Sequence, residues 1–308
     1  MEENDHVSKD ELPEKCEYEV RGIQRYEYNE LVRPKYINLK NEMVFADYNL
    51  SASESRLLYF AMAHFDKSEF YAERDTSINE GKKSDLRSSE YSIIYEDSKS
   101  RTIIIPATML MKAIRCSKSN SQSKNYKPLY NTISQISSAT ITLNTKNSSK
   151  ESDDKISFFE KIEVFRQEGA SGKGQILVML TFSVSYMPFV ICSSGFTKLP
   201  FDSITGLSSP YAMRYYHWFL YALKKVNATR FSISIREMRK RFRFDDGMYL
   251  SHFETRFIAK PIKDIMEKTD IEVYVEELQR NSNTKRRTKI SVASFNISVI
   301  PKNISLSE

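Results

Sequence analysis

Arg236, Arg239, Lys240 and Arg243 fall close together, and a second group, His252, Thr255, Arg256, Lys260 and Lys263, follows at helical spacing. On a helical wheel His252, Arg256, Lys260, Lys263 and Glu267 share one side, opposite a broad arc of Phe253, Phe257, Ile258, Pro261, Ile262, Ile265 and Met266. A third group, Arg280, Lys285, Arg286, Arg287 and Lys289, crowds a polar loop that has no apolar anchor. Fixed cations in rows neutralise phosphates and release the counterions condensed on a duplex. Arginine can also donate two hydrogen bonds to a guanine edge. Arg256, in the middle of its row, is therefore expected to reach a base. Lys285, Arg286 and Arg287 are expected to follow phosphates without reading sequence.

Bond-making chemistry finds less support. Gly172-Lys173 invites comparison with a phosphate-binding loop, but Gln167 and Gly174 stand where that motif needs Gly and a hydroxyl residue. His6, His64, His217 and His252 form no close pair, and no His and carboxylate cluster has metal-ligand spacing. The expectation is no catalytic residue, no metal and no cofactor. The 18 Tyr residues are formal nucleophiles, yet a phosphotyrosine mechanism needs a base and clamped cations around one of them, and the sequence singles out none. The aromatic run 215–221 could stack single-stranded bases. With Ser209 as cap and Pro210 at the first helical position, it reads better as the core face of a helix.

The elements that must position these cations are legible from period. Ser234 to Phe242 makes a short helix with Ile235, Met238 and Phe242 inward, and Phe244-Asp-Asp-Gly247 turns it into the basic-striped helix centred on 249–269. Ile271–Leu278 and Ile290–Val299 alternate as strands, with a bulge expected near Ala293, and hold the cationic loop as a wing. A helix-turn-helix beside such a hairpin is a winged helix.

Upstream the same order recurs. Ser51 and Glu54 form a capping box ahead of Leu57, Leu58, Ala61, Met62 and Phe65. Tyr91–Tyr95 and Thr102–Ile105 read as strands, Pro106 ends the second, and a helix follows through Ile114. Another helix runs from Pro128 to Ile136, then strands from Ile156 to Arg166 and from Gln175 to Ser185, joined by the loop Glu168–Gly174. Lys118 and Lys124, in the turn Ser117–Lys124, and Lys127 are candidate auxiliary DNA contacts. The fold class expected is α+β, two tandem winged-helix domains.

The run Leu207-Ser-Ser-Pro-Tyr-Ala-Met-Arg-Tyr-Tyr216, the segment Phe231–Ile235, then Tyr249, Phe253, Pro261-Ile-Lys-Asp-Ile265 and Lys268–Val273 resemble the initiator replication proteins of iteron-bearing, theta-replicating plasmids. Asn41–Leu58 resembles that family's opening segment, so the likeness spans about two hundred and fifty residues. Asp264 stands where the family usually has Glu. The resemblance implies a sequence-specific duplex-binding protein that initiates plasmid replication on directly repeated origin sequences, without catalysis of its own. It further implies a DNA-binding monomer in equilibrium with a homodimer that represses its own promoter, with the first domain carrying the dimer interface. Host initiator and replicative helicase are the implied protein partners. A winged-helix transcriptional regulator is the alternative, and a DNA-nicking enzyme a more distant one.

Composition sets the frame. The chain's 308 residues, 40% of them hydrophobic, suffice for two domains. From Phe196 on, 20 Lys and Arg face 12 Asp and Glu, whereas upstream 26 face 28, so the net charge of +6 resides in the C-terminal third. Residues 1–30 hold ten acids and four bases, and 1–35 are expected to be a disordered acidic tail. The division expected is a first domain over 36–195 with a polar insertion at 67–90, a second over 196–301, and a tail at 302–308. No run approaches the roughly twenty apolar residues of a membrane span. Three scattered cysteines argue against a disulfide framework, and a bacterial cytoplasm fits.

Overall fold

The computed structural model describes residues 24–25, 34–67, 97–114, 125–143, 155–167, 174–192, 194–242, 253–280 and 290–299. Strand β1 (Gln24–Arg25) pairs in parallel with Ile103 and Ile104. These two residues lie inside the stretch that composition marks as disordered, and a neighbouring strand's edge supplies the backbone partners that composition cannot show. The rest of 1–33 lies outside the described residues, as do most of the insertion, the strand expected at Tyr91–Tyr95, the loops 115–124, 168–173 and 243–252, the wing tip 281–289 and the tail from 300.

After β2 (Tyr36–Lys40), the short α1 (Glu42–Phe45) and β3 (Asp47–Tyr48), helix α2 (Ala52–His64) begins on the capping box read from sequence. Glu54 N–H donates to Ser51 Oγ at 3.3 Å and Ser51 N–H to Glu54 Oε2 at 2.8 Å. Strand β4 (Thr102–Pro106) is buried throughout and passes directly into α3 (Ala107–Ile114), so Pro106 ends the strand where expected. Helix α4 (Lys127–Ser137) carries its proline in the first turn, where a missing N–H costs nothing.

The first hairpin follows β5 (Thr140–Thr142) and β6 (Lys155–Ser157) and consists of β7 (Phe159–Gln167) and β8 (Gln175–Phe182). β8 stops at Phe182 rather than Ser185, because Val184–Tyr186 turns as a 3-10 helix into α5 (Met187–Ile191). Its even-numbered side chains Val178, Leu180 and Phe182 enter the main core. Leu177 and Met179 are buried as well, in a small second cluster with Ile104 and Phe165 on the sheet's other face.

Strand β9 (Phe196–Pro200) returns to pair antiparallel with β2, so this sheet joins the start of the first expected domain to the start of the second. Helix α6 (Phe201–Gly206) leads to α7 (Pro210–Tyr221), which continues as a π-helical stretch, Ala222–Val226. As read from sequence, Ser209 caps α7, its Oγ accepting from Tyr211 and Ala212 N–H. The aromatic run is core: Tyr215, Tyr216, Trp218 and Phe219 are buried.

The second winged helix adds β10 (Arg230–Ser234), α8 (Ile235–Phe242), a π-helical stretch Glu254–Ala259 running into α9 (Lys260–Lys268), and the hairpin β11 (Ile271–Arg280) and β12 (Ile290–Val299). Its sheet order is β10-β12-β11, and the first domain's β4-β8-β7 repeats it with β1 added at the edge. Each domain thus places its short strand beside the second wing strand. The hairpin's register shifts between Val275 and Glu277, opposite Phe295 and Ser294, and between Gln279 and Arg280, opposite Val292 and Ile290, so the irregularities lie on either side of Ala293, near where a bulge was expected. One hydrophobic core runs from Ile37 through both domains to Val273.

Candidate nucleic-acid interface

The continuous helical segment from Phe253 to Lys268 is anchored by one face and leaves the other open. Phe253, Phe257, Ile258, Ile262 and Ile265 are each less than 5% exposed, and Pro261 is buried with them. Phe257 packs edge-on against Tyr211 of α7, ring centroids 4.7 Å apart, and burial there raises the Tyr211 hydroxyl's pKa despite Arg256 and Arg214 nearby. The outer face presents Thr255, Arg256, Lys260 and Lys263, all exposed. Among the described residues neither Arg256 nor Lys260 pairs with a carboxylate, whereas Lys263 lies 3.7 Å from Glu267 in an exposed contact of little energetic weight.

Met266 departs from the sequence expectation: it is 40% exposed. Ile258, Ile262, Ile265 and Thr269 keep α-helical spacing and face the core, and Met266 falls at the edge of that stripe. Upstream, Glu254–Ala259 is wound as a π-helix, with the Lys260 N–H donating to Thr255 O. Arg256 sits within this turn.

Asp264 holds the helix from behind. Its carboxylate accepts from Ser208 N–H at 2.6 Å and Ser208 Oγ at 3.0 Å, and pairs with Lys268 at 2.6 Å. On the helix before it, Met238 and Phe242 are buried as expected, Arg236 is exposed, and Ser234 Oγ caps Glu237 N–H at 3.1 Å. Arg239 and Lys240 fall on α8 and Arg280 ends β11. Arg243, His252, Lys285, Arg286, Arg287 and Lys289 lie outside the described residues.

In the first domain α4 occupies the corresponding place, after α3 and ahead of the β7–β8 hairpin. Leu129, Thr132 and Ile136 face the core, and Lys127, Tyr130, Asn131, Ser134 and Gln135 are exposed. Of the auxiliary lysines only Lys127 is among the described residues; Lys118 and Lys124 lie outside them. The uncharged outer residues of α4 escaped the sequence reading because it followed charge. Among the described residues no group of His, Cys, Asp and Glu could hold a metal ion, and no helix is long and apolar enough to cross a membrane.

Two winged helices in tandem, the second with a solvent-facing cationic helix, define a DNA-binding protein of the double winged-helix class. Family models agree: "Initiator Replication protein, WH1" matches residues 36–220 and "Initiator Rep protein, WH2" matches residues 234–298. The chain belongs to the initiator replication protein family. Among solved structures 19 chains match. One, the crystal structure of Pi initiator protein in complex with iteron DNA, aligns at 17% identity with a TM-score of 0.51, covering 89% of this chain and 100% of that one. That likeness is one of fold. No curated protein matches the sequence.

Proposed function

We propose that this protein initiates plasmid replication by binding directly repeated duplex sequences at an origin. The observation that carries the reading is the outer face of 254–268, where Thr255, Arg256, Lys260 and Lys263 stand exposed on a helix whose inner face is core, in a chain of the initiator family. Such a helix suits a major groove, and two recognition elements on one chain suit sites about ten base pairs apart. The wing cations supply sequence-independent affinity. The family's description and the absence of a metal or nucleotide motif favour binding without catalysis. By likeness, a homodimer repressing its own promoter, contacts to a host initiator and helicase, and a bacterial cytoplasmic location complete the proposal. So does the division into 36–195 and 196–301, with the tails and the insertion at 67–90 left without a role.

The test is a footprint over DNA flanking the coding sequence, followed by titration of Arg256→Ala against the protected repeat and a scrambled duplex. Protection of tandem repeats is expected, and the variant should lose about 1 to 3 kcal/mol on the repeat while nonspecific affinity stays nearly unchanged. Equal losses on both duplexes would reduce Arg256 to a phosphate contact. A footprint without repeats would remove the replication reading.

A further inference from the structure

We infer that the cavity between the β2–β9 ribbon and the end of α2 binds a small polyanion of the diphosphate class through Lys67 and Lys198. The inference goes beyond the function proposed above and does not depend on it. The ribbon has two unlike faces. Antiparallel pairing sets Tyr36 opposite Pro200, Asn38 opposite Lys198 and Lys40 opposite Phe196 on one face, and Ile37 opposite Leu199 and Leu39 opposite Thr197 on the other. The second set is buried. The first opens into a cavity of about 340 Å³, which Lys67 closes from just beyond α2. Tyr36, Asn38, Phe196 and Lys198 line it, and no acid does. That volume lies in the range of small-molecule sites, roughly 300 to 1,000 Å³.

The cations here lack the partners that surface lysines ordinarily find. Among the described residues neither Lys67 nor Lys198 pairs with a carboxylate. Asp66, next to Lys67 in sequence, is exposed and does not line the cavity. Lys67 is half-buried, and desolvation lowers the pKa of its ammonium group. Its electrostatic neighbour is the buried Cys192 thiol, which burial pushes up to about 11 and so keeps neutral at pH 7. Lys40 acts on the same thiol, so a third ammonium group stands nearby. A cation withdrawn from water is normally paired, and a bound anion supplies the missing charge.

Aromatic rings fix the other ammonium groups at the rim. Lys198 Nζ lies 4.3 Å and Lys35 Nζ 5.6 Å from the centroid of the Tyr36 ring, and Lys225 Nζ lies 5.6 Å from that of Phe196. Side chains held in place lose less freedom when an anion arrives. Two ammonium groups facing one recess suit a compact group with more than one negative charge, and the Asn38 amide can donate to an oxygen between them. The ring of Tyr36, 40% exposed, leaves surface for a nucleoside at the mouth. The diphosphate can therefore come free or as the tail of a nucleoside diphosphate. A duplex carries its phosphates on a convex backbone, which reaches the rim and not the recess. The residues of this site are separated in sequence by most of the first domain, so neither period nor rows of charge disclosed it.

The experiment measures binding of diphosphate, ADP and adenosine to the full chain by titration calorimetry and by melting temperature, with sulfate at matched ionic strength as the screening control. Diphosphate and ADP should bind saturably and raise the melting temperature above the sulfate control, and adenosine should do neither. Equal affinity for diphosphate and ADP identifies the free ion as the occupant, whereas tighter ADP binding places the nucleoside against Tyr36. Lys198→Gln should weaken both ligands about tenfold or more, as expected for losing a charge-assisted hydrogen bond. Lys112→Gln, exposed on α3, should leave binding unchanged. Lys67→Met should abolish the ligand-induced rise while the unliganded protein melts no lower than before, because a desolvated charge has been removed. Absence of saturable binding beyond sulfate overturns the inference. So does undiminished binding by Lys198→Gln, or binding of adenosine as tight as that of ADP. Each of these failures leaves the proposed role on duplex DNA standing.

Discussion

Burial decides the chemistry of His217. The side chain is 2% exposed among the aromatic residues of α7, and its Nε2 has no hydrogen-bond partner among the described residues. Desolvation, with Arg214 adding repulsion, pushes its pKa down to about 3. In the unfolded chain an imidazole titrates near 6.5. Between those values the unfolded state binds a proton that the folded state refuses, so His217 favours folding above about pH 6.5 and loses that contribution as pH falls toward 3. The slope is about 1.4 kcal/mol per pH unit for one proton. Unfolding followed between pH 7 and 4 should therefore be less acid-sensitive in His217→Leu than in the unaltered protein. His64, also lowered by burial, retains a slope of the same sign. Parallel curves for the two proteins would mean that His217 is solvated in the folded state. A histidine in an aromatic run was legible only as a helix residue, because period assigns a face and not the absence of a partner. Thr255, Arg256, Lys260 and Lys263 were legible because a charged row opposite an apolar arc has one stable orientation.

At the scale of elements, period and caps carried most of the reading. The Ser51 and Glu54 box, the Ser209 cap and the alternation of β8 each express a local preference that the fold preserves. What escaped is set at a distance. The short strands β3, β5 and β6 are two or three residues long and exist only by pairing across the chain. The contact between Asp264 and Ser208 belongs here too, since it joins residues 56 apart and keeps the helical segment 253–268 against the start of α7. Asp264→Ala should lower stability by about 1 kcal/mol in denaturant titrations, as expected for losing a partly exposed charged hydrogen bond. The salt dependence of DNA binding should stay unchanged, because Asp264 faces away from the cationic row. An unaltered denaturation midpoint would show that water replaces the carboxylate without loss.

Across the whole molecule, two buried or half-buried arginines tie segments distant in sequence into one body. Arg56 of α2 donates to Ile114 O at 3.0 Å, at the end of α3, and to Thr205 O at 2.8 Å and Leu207 O at 2.5 Å beyond it. These are carbonyls at helix ends, which have no partner within their own helices. Arg214 of α7 donates to Ala46 O at 2.7 Å and Tyr48 O at 2.9 Å, and its guanidinium lies 4.1 Å from the Tyr48 ring and 4.6 Å from that of Phe242 in α8. It therefore joins the first domain's early backbone to the second domain's helix-turn-helix. With a continuous core beneath, α4 and the helical segment 253–268 are held at a fixed phase. On the function proposed above, fixed phase means intolerance to spacing: one added base pair turns the half-sites by about 35° relative to each other. The unaltered protein should discriminate strongly against a repeat lengthened by one base pair between the two contacted segments. Arg214→Ala should bind the normal repeat more weakly, because the domains must then be ordered on the DNA, and should lose much of that discrimination. Titrating both duplexes with both proteins makes the comparison. If the inserted base pair costs the variant as much as it costs the unaltered protein, the shared core alone sets the phase, and Arg214 contributes stability without governing how the repeat is measured.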